Sequence, residues 1–518
     1  MVQILWFKKD LRLADHEALW AAAQAAHATA TPILPLYICE PEAWRQPDSS
    51  GRQFAFLLES LKDLDQALQA QGHKLIYRTG CAVEIFRSLH ETLGIAAIYS
   101  HQETGNNYTY QRDKDVSSWA KTHHIPWHEY AQNGVIRGLK SRYGWAQKWH
   151  AQMSKPCFEI PALPASATID AGAMPSAAAL SIAADPCPER QNGGRKAGTE
   201  LLQSFLSSRG EYYRRAISSP DTAATSGSRL SPYLSFGCLS MRELYQTTMS
   251  RRSEAPKGGW KQSLSSFTSR LHWHCHFMQK LEDEPDIEFR NFHPAYEGVR
   301  GHDARRFDAW ASGQTGYPMI DACMRSLIAS GWLNFRMRAM LVSFASYHLW
   351  LDWRAPALHL ARLFTDYEAG IHYSQIQMQS GTTGINVMRI YNPIKQSQDQ
   401  DPSGRFIRRW IPEIAHLPDH LIHTPWLVPH RVADYAPPII EEATSRRQAA
   451  AKLSAIRKTI EHHHHAAEIV KKHGSKRSGL SQAANKARQG TKASKSGQRG
   501  TRDTAQNKQP SQQGELPL

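Results

Sequence analysis

Apolar residues in the first 130 positions come in short runs separated by stretches with helical spacing. The runs cover Val2–Phe7, Ile33–Ile38, Lys74–Tyr77 and Ala96–Ser100, and Phe54–Ala70 has the spacing of an amphipathic helix. Short apolar runs that alternate with such helices are typical of a parallel, doubly wound sheet. The sequence therefore predicts an N-terminal α/β domain. Because no GxGxxG follows the first run, we do not expect a conventional dinucleotide site there.

Beyond Gly198 the spacing of apolar residues becomes helical. Amphipathic helices are predicted through Met241–Met249, Leu264–Leu281 and Ile320–Leu351. Residues 162–196, which come before this part, are rich in Ala, Pro, Ser and Gly, a composition typical of a long connector. The C-terminal half of the chain is therefore expected to be an all-α domain.

These patterns divide the chain into four segments. We expect an α/β domain over residues 1–131, a connector over 132–199, a helical domain over 200–470 and a disordered basic tail over 471–518. After about Ser475, Gly, Ser, Gln, Lys and Arg dominate and aromatic residues vanish. A segment of that composition lacks the apolar area needed to form a core.

The charge of the chain favours a polyanionic partner, and much of that charge lies in the tail. The net charge is +15 over 518 residues, and Lys and Arg gain affinity for nucleic acids by releasing phosphate counterions. From Lys471 onward, eleven basic residues face only Asp503 and Glu515. The body of the protein is therefore mildly basic, and the charge is also compatible with a role in solubility alone.

Cysteine usage and hydropathy exclude several classes of protein. The seven cysteines are scattered and include no CxxC pair. Their distribution argues for reduced thiols in a cytosol-like compartment, and against a disulfide framework, an iron–sulfur cluster or a zinc site. The longest apolar stretch, Ala339–Leu351, is too short to span a bilayer and contains His348. We therefore expect a soluble, cytoplasmic protein that does not bind a membrane.

Three motifs follow one another along the chain. They are ILWFKKDLRLADHEAL (Ile4–Leu19), SRLSPYLSFG (Ser228–Gly237) and, after Gly313, TGYPMIDACMRSLIASGW followed by LFTDYEAGIHYSQIQMQSGTTGINVMRIYNP. Together they resemble the photolyase/cryptochrome family over roughly residues 1–470. The resemblance implies a Rossmann-like antenna domain followed by an all-α domain that binds flavin adenine dinucleotide (FAD) non-covalently.

The segment SRLSPYLSFG is the candidate site for the phosphates of FAD. Ser228, Arg229 and Ser231 offer the hydroxyls and the cation that a pyrophosphate requires. An ordinary helix start with Pro232 in its first turn would use the same residues structurally. The family resemblance favours phosphate binding. By resemblance, further cofactor-binding residues are Tyr213, Leu230 and Arg270.

An acidic segment, Asp366–Tyr367–Glu368, is the candidate partner of the flavin ring. By resemblance, Asp366 pairs with Arg338 beside the reactive face of the flavin. A guanidinium there would stabilise an anionic reduced flavin, and the carboxylate would keep the guanidinium oriented. A plain buried clamp between two helices is the alternative. Glu368 stands where the family usually has a second Asp, and it should accept a hydrogen bond from the flavin.

By resemblance, His372 stands at the position that faces flavin N5, where repair enzymes usually have Asn. A histidine titrates near neutrality, so it could change which redox state of the flavin is stable. Alternatively, it hydrogen-bonds N5 as the amide would. The sequence leaves both interpretations open.

Four residues match positions that contact damaged DNA in the family. Trp273 matches the tryptophan that stacks on a flipped pyrimidine dimer, and stacking is a common way to hold an extruded base. Met378 replaces the opposing tryptophan and gives a softer contact. Arg336 and Arg389 match positions near the damaged bases and the phosphate backbone. Each of these residues taken alone also fits an ordinary core or surface role.

The chain of tryptophans that carries electrons to the flavin in this family is interrupted. Trp353 matches its middle member, but Ile376 and Arg300 replace the other two. Another route could use other aromatic residues, namely Trp310, Trp332, Trp350, Tyr347 and Tyr373. The run HWHCHF places His272 and His276 one helical turn apart, yet no acidic general base completes a metal site, and we expect no metal.

Two functions follow from the resemblance. The first is a DNA photolyase, a lyase that uses FAD and blue light to split cyclobutane pyrimidine dimers in UV-damaged DNA, and we expect it to act as a monomer. The second is a cryptochrome-like photoreceptor with little or no repair activity. By resemblance, Glu103 lies in the region that contacts an antenna pigment, either a folate or a deazaflavin, and the sequence leaves open whether one is bound or Glu103 is an ordinary loop residue.

Overall fold

The structure is a computed structural model that describes residues 1–254 and 257–474. The predicted disorder of the tail concerns residues 475–518, which lie outside the described residues. The final helix runs to His473, so it enters the segment that the sequence assigned to the tail. His473 Nε2 and Lys472 Nζ lie 2.6 and 2.7 Å from Glu284 Oε2, which attaches this helix to the body.

The N-terminal part contains a parallel five-stranded sheet in the order β3-β2-β1-β4-β5. The strands are β1 Val2–Phe7, β2 Ile33–Cys39, β3 Ile76–Thr79, β4 Ile95–His101 and β5 Trp127–Tyr130. Helices α1 Glu17–Thr29, α2 Pro41–Trp44, α3 Gly51–Gln69, α4 Ala82–Leu93 and α5 Asn107–Thr122 follow or connect them. All residues of β1 and β2 are buried, as expected where helices cover both faces of a parallel sheet. The predicted doubly wound sheet is confirmed.

The C-terminal part is helical, as predicted. Its helices, with the α6 that leads into them, are α6 Trp145–Met153, α7 Arg195–Ser207, α8 Tyr213–Ala216, α9 Pro220–Ser226, α10 Ser231–Ser235, α11 Met241–Ser253, α12 Trp260–Asp283, α13 Ala304–Ala311, α14 Pro318–Ser330, α15 Phe335–Ser343, α16 Arg354–Leu363, α17 Ala369–Ser380, α18 Pro393–Gln400, α19 Arg405–Trp410, α20 Glu442–Arg457 and α21 Ile460–His473. Within the described part of the chain, no helix is both long and apolar enough to traverse a bilayer.

The stretch Ile320–Leu351, predicted as continuous helix, is broken. Helix α14 ends at Gly331, whose φ of +68° is the left-handed conformation that glycine adopts most readily. Helix α15 begins three residues later, after Asn334, and passes into a π-helical turn at Phe344–His348. The break matters for the site, because the loop between α14 and α15 contributes Trp332, Leu333 and Asn334 to a cavity.

The sheet and the helical part pack tightly against each other at the loop after β1. Gly237, with φ +65°, lies so close that a Cβ there would approach the Lys9 carbonyl oxygen to 2.1 Å. Arg12 Nη1 donates to the Gly237 carbonyl at 2.9 Å, and Arg242 pairs with Asp15 at 2.5 Å. A residue with a side chain could not replace Gly237 without separating the two parts.

Candidate functional site

A cavity of about 280 Å³ lies among the helices of the C-terminal part. Helix α12 contributes Arg270, Trp273, His274 and Phe277, which are spaced three and four residues apart and so share one face. Helices α15 and α17 supply two further walls, and the break before α15 supplies a fourth. Most of the lining is apolar, with charged side chains at particular points.

One part of the cavity is polar and cationic. Ser228, Arg229 and Ser231 line it together. Arg229 has φ +58°, an uncommon value for a residue with a side chain, and its guanidinium lies 4.2 Å from the ring centre of Trp332. Arg229 Nε donates to Gln191 Oε1 at 3.0 Å. Burial lowers the pKa of Arg229 to about 10, so the side chain stays charged at neutral pH.

The predicted pair of Arg338 and Asp366 forms in another part of the cavity. Arg338 Nη1 and Nη2 donate to Asp366 Oδ1 and Oδ2 at 3.0 and 2.8 Å, a bidentate arrangement. Arg338 Nε donates to the Leu333 carbonyl, and the guanidinium lies 3.9 Å from the ring centre of Phe364. Both charged side chains line the cavity, so the pair presents a fixed guanidinium to any ligand there.

Glu368 and His372 line the same cavity, and burial shifts both of their pKa values. Burial raises the pKa of Glu368 to about 7, so the carboxyl is partly protonated at neutral pH. Burial lowers the pKa of His372 to about 4. This shift favours a neutral His372 at physiological pH, and the role of His372 beside flavin N5 stays a prediction. Its Nε2 donates to the Ala357 carbonyl at 2.9 Å, and this fixes Nδ1 as an acceptor.

Several buried polar atoms at the cavity have no hydrogen-bond partner among the residues that the structure describes. They are His274 Nδ1, Asn334 Oδ1 and Gln375 Oε1. Unpaired buried polar groups are costly, so such atoms indicate a ligand that satisfies them. A mostly apolar cavity with a cationic part, an arginine–aspartate pair and unpaired polar atoms fits FAD, which combines a pyrophosphate with a flat ring that has polar edges.

The structure brings most of the predicted site residues to the cavity. Those that line it are Ser228, Arg229, Ser231, Arg270, Trp273, Arg338, Asp366, Glu368 and His372. Leu230 and Tyr213 are instead fully buried beside it, and the ring of Tyr213 packs against Phe205 and Phe267. Trp353 is also buried away from the lining, and its Nε1 donates to Asn291 Oδ1 at 2.7 Å. The structure therefore does not support direct cofactor contacts for Tyr213 and Leu230.

Met378, Arg336 and Arg389 also lie outside the cavity lining. On α17 the residues that line the cavity are Ile371, His372, Gln375, Ile376 and Gln379. Met378 does not line it, although it lies two helical turns from Ile371 and therefore at the edge of the same face. Arg389 is exposed on the segment after α17. The predicted opposition of Met378 to Trp273 and the roles of the two arginines in DNA binding stay predictions.

Four residues that line the cavity were not predicted to lie there, namely His274, Trp332, Asn334 and Gln375. A signal for His274 was present, because it follows Arg270 by four residues and so lies on the same helical face. The histidines of the HWHCHF run were interpreted only as possible metal ligands. In the structure His276 Nδ1 lies 2.7 Å from Arg142 Nη2, which donates to it. Trp332 and Asn334 belong to the helix break, which the continuous helical pattern concealed.

A second, smaller cavity of about 130 Å³ lies between the sheet and the helical part. Glu103 lines it, as do Arg112, Glu40 and Tyr367. Arg112 donates to Glu40 and Glu103 at 2.5 and 2.6 Å and to Asp113 at 2.8 Å. Arg112 is shared among these three carboxylates, so Glu103 has a structural partner in addition to its predicted place at an antenna site.

Family models match both parts of the chain. The model for DNA photolyase matches residues 3–138, and the model for the FAD binding domain of DNA photolyase matches residues 267–455. A deoxyribodipyrimidine photo-lyase from Streptomyces griseus is 29% identical over 472 residues, which covers 86% of this chain and 97% of the relative. A cryptochrome DASH from Gloeobacter violaceus is 28% identical and covers 82% of this chain and 88% of the relative.

A solved structure has the same fold. The crystal structure of a cryptochrome from Synechocystis superposes with a TM-score of 0.78 at 24% identity, over 87% of this chain and 98% of that one. Photolyases and cryptochromes both appear among the similar proteins, so similarity alone does not separate repair from light sensing.

Proposed function

The chain belongs to the DNA photolyase/cryptochrome family, and we propose that it is a photolyase that uses FAD and light to split cyclobutane pyrimidine dimers. One observation supports repair above the others. The cavity that fits FAD contains both the Arg338–Asp366 pair and the half-buried ring of Trp273. A flavin and a flipped base could therefore occupy the same cavity.

FAD is the cofactor, and its two ends would meet different parts of the lining. Ser228, Arg229 and Ser231 would hold the pyrophosphate through hydroxyls and a permanent cation. His274 Nδ1 and Gln375 Oε1 would be satisfied by polar atoms of the cofactor, which would remove the cost of leaving them unpaired. When bound, reduced and excited by light, the flavin supplies the electron that opens the dimer and takes it back afterwards.

Arg338 would stabilise negative charge on the reduced ring. Asp366 holds the guanidinium through two parallel hydrogen bonds, so the cation is in position before any reaction begins. His372 is neutral and its Nε2 donates to the Ala357 carbonyl, so its Nδ1 is free to accept a hydrogen bond from an N–H group of the flavin. Of the two interpretations of His372 we propose the hydrogen bond, and the lowered pKa and the bond to Ala357 support it.

Trp273 would stack on the flipped pyrimidines. Its ring is half-buried, with His276 and Phe277 packed against it at 4.8 and 5.7 Å, so its orientation is fixed before DNA binds. A preformed aromatic surface costs little side-chain entropy when a base stacks on it. We favour the cyclobutane dimer over the (6-4) product, because the segment GWLNFRMR lacks the paired histidines that the (6-4) enzymes carry near the lesion.

The test is repair by protein whose flavin has been reduced chemically with dithionite. The protein is mixed with an oligonucleotide that contains one thymine dimer, illuminated with blue light, and the intact thymines are measured by chromatography. Light-dependent recovery of thymine supports the photolyase. If fully reduced protein restores no intact bases from either the thymine dimer or a (6-4) substrate, the repair function is wrong and the photoreceptor is favoured.

A further inference from the structure

Tyr367 occupies the wall between the two cavities. Its chain neighbours Asp366 and Glu368 line the flavin cavity, whereas its own side chain lines the second cavity. The centre of its ring lies 5.2 Å from the ring of His372, at an angle of 76°. Because His372 lines the flavin cavity, a single aromatic ring separates this phenol from it.

The hydroxyl of Tyr367 is bonded to a buried carboxylate of the other domain. It donates to Asp48 Oδ2 at 2.5 Å, and Asp48 is 2% exposed. Asn106 Nδ2 holds the same carboxylate, with distances of 3.2 and 3.0 Å to its two oxygens. Burial and the charge of Asp48 keep the pKa of Tyr367 well above its ordinary value, so the phenol is protonated at rest.

This arrangement suits the loss of an electron from Tyr367. A phenol that loses an electron becomes a strong acid and must release its proton. Asp48 already accepts the hydrogen bond, so the proton can cross one short O···O distance while the heavy atoms stay in place. The negative charge of Asp48 also favours the oxidised form of a group beside it.

Trp332 and Trp350 have the opposite electrostatic surroundings. Arg229 lies 4.2 Å from the ring centre of Trp332. An indole that loses an electron carries a positive charge, and a guanidinium at this distance disfavours that charge. Trp350 has two such neighbours, Arg300 at 4.9 Å and Lys452 at 4.5 Å.

Trp353 is farther along any aromatic route. It reaches His372 through Tyr373, with centre-to-centre distances of 6.4 and 5.3 Å. Its Nε1 donates to the amide oxygen of Asn291, and an amide is a much weaker base than a carboxylate. Trp353, the middle member of the family's tryptophan chain, is therefore a poorer donor here than Tyr367.

We propose that Tyr367 is the electron donor to the light-excited oxidised flavin and that Asp48 takes its proton. One electron passes from the phenol to the flavin, the O–H bond of Tyr367 breaks, and the proton binds the Asp48 carboxylate. The products are a tyrosyl radical, a neutral Asp48 and a flavin reduced by one electron. A small thiol that enters the second cavity then returns one hydrogen atom to the tyrosyl oxygen and leaves as a thiyl radical, and Asp48 releases its proton to water. This inference rests on the proposed function for the identity of the cofactor.

The first test measures photoreduction of the purified flavoprotein in the presence of dithiothreitol. Tyr367→Phe is expected to slow it at least about tenfold, a barrier increase of about 1.4 kcal/mol or more. Asp48→Asn keeps an acceptor oxygen but removes the base, so it should slow photoreduction and change its solvent deuterium isotope effect. Trp353→Phe is the matched control and should photoreduce at the wild-type rate.

A second measurement uses the unaltered protein, so it does not depend on the folding of a variant. Protein grown on ring-deuterated tyrosine is illuminated, frozen and examined by electron paramagnetic resonance. A radical signal that narrows on deuteration is expected, and it should be absent from Tyr367→Phe. A signal unchanged by the label, or loss of photoreduction in Trp353→Phe instead of Tyr367→Phe, would overturn the proposal. Repair by dithionite-reduced wild-type protein tests the proposed function separately, because it bypasses photoreduction.

Discussion

The two cavities contain similar kinds of residue but use their polar groups differently. In the cavity between the domains, Arg112 satisfies Glu40, Glu103 and Asp113, and Lys8 bonds the remaining oxygen of Asp113 at 3.0 Å. In the cavity of the helical domain, described polar atoms such as His274 Nδ1 and Gln375 Oε1 lack partners within the described chain. The polar groups of the cavity between the domains pair with one another, whereas those of the flavin cavity are left for a ligand.

This difference separates a structural network from a binding site. Buried charges that satisfy one another stabilise the contact between elements, and removing one member leaves the others unpaired. Buried polar atoms without partners destabilise the free protein, and a ligand recovers that cost when it binds. Substitutions in the cavity between the domains should therefore affect the stability of the protein, whereas substitutions in the flavin cavity should affect its affinity for the ligand.

The largest effect is expected from Arg112→Leu, which removes the cation shared by Glu40, Glu103 and Asp113. Uncompensated buried charges cost about 3–5 kcal/mol, so the free energy of unfolding in urea should fall by about that amount. Arg354→Leu is the control, since Arg354 also pairs with two acids but is 36% exposed, and about 1 kcal/mol or less is expected. Equal decreases in the free energy of unfolding of the two variants would contradict a special structural role of the charges in the cavity between the domains.

A smaller effect, on affinity, is expected from Asp366→Ala. The substitution leaves Arg338 without its carboxylate in the flavin cavity. Loss of one member of such a pair costs about 2–4 kcal/mol, so the Kd for FAD should rise about 30- to 1000-fold. Flavin fluorescence on release measures this change. Glu413→Ala breaks the bidentate Arg325–Glu413 pair outside the cavity and should leave the Kd unchanged.

Trp273→Ala sharpens the comparison by testing whether the flavin cavity also binds a flipped base of the DNA. Stacking on an aromatic ring contributes about 1–3 kcal/mol per base, so the preference for dimer-containing over undamaged DNA should fall about 10- to 100-fold. Competitive binding of the two oligonucleotides measures the preference. Trp20→Ala is the matched control, because Trp20 is 42% exposed on α1 of the sheet domain. A preference retained in Trp273→Ala would contradict stacking.

Local patterns in the sequence predicted the fold well and failed where a segment departs from a simple repeat. Strand β5 was missed because its sequence, WHEY, is a short, half-exposed strand rather than an apolar run. The helix over Ile320–Leu351 was drawn through Gly331, although a glycine at that position ends α14. In both cases tertiary packing determines where the strand or helix lies, and the spacing of apolar residues does not indicate it.

The site could be expected where the family resemblance assigns both partners, and it could not be expected where distant segments meet. The resemblance placed Asp366 beside Arg338, which lies 28 positions away in the sequence. Tyr367 and Asp48 are separated by 319 positions and belong to different domains. Only the packed structure brings these two side chains together.

The smallest effect is expected from Glu368→Gln, and it concerns how the flavin cavity responds to pH before a ligand binds. Burial raises the pKa of Glu368 from 4.5 to about 7, so between these values the native state binds more protons than the unfolded state. The stability that this group contributes is therefore complete below about pH 4.5 and is lost as the pH rises through 7. From pH 6 to pH 8 the loss should be about 1–1.5 kcal/mol.

Urea unfolding of flavin-free protein at pH 6 and pH 8 measures this dependence. Glu368→Gln cannot ionise, so it should lose less stability over that range and should be the more stable protein at pH 8. Glu288, whose pKa burial also raises to about 7, remains in the variant and should preserve part of the dependence. If FAD binds with Glu368 as a hydrogen-bond acceptor, adding FAD should shift this titration to lower pH in the wild-type protein alone. The same slope in both proteins, with or without FAD, would mean that Glu368 is ionised in the cavity throughout this range.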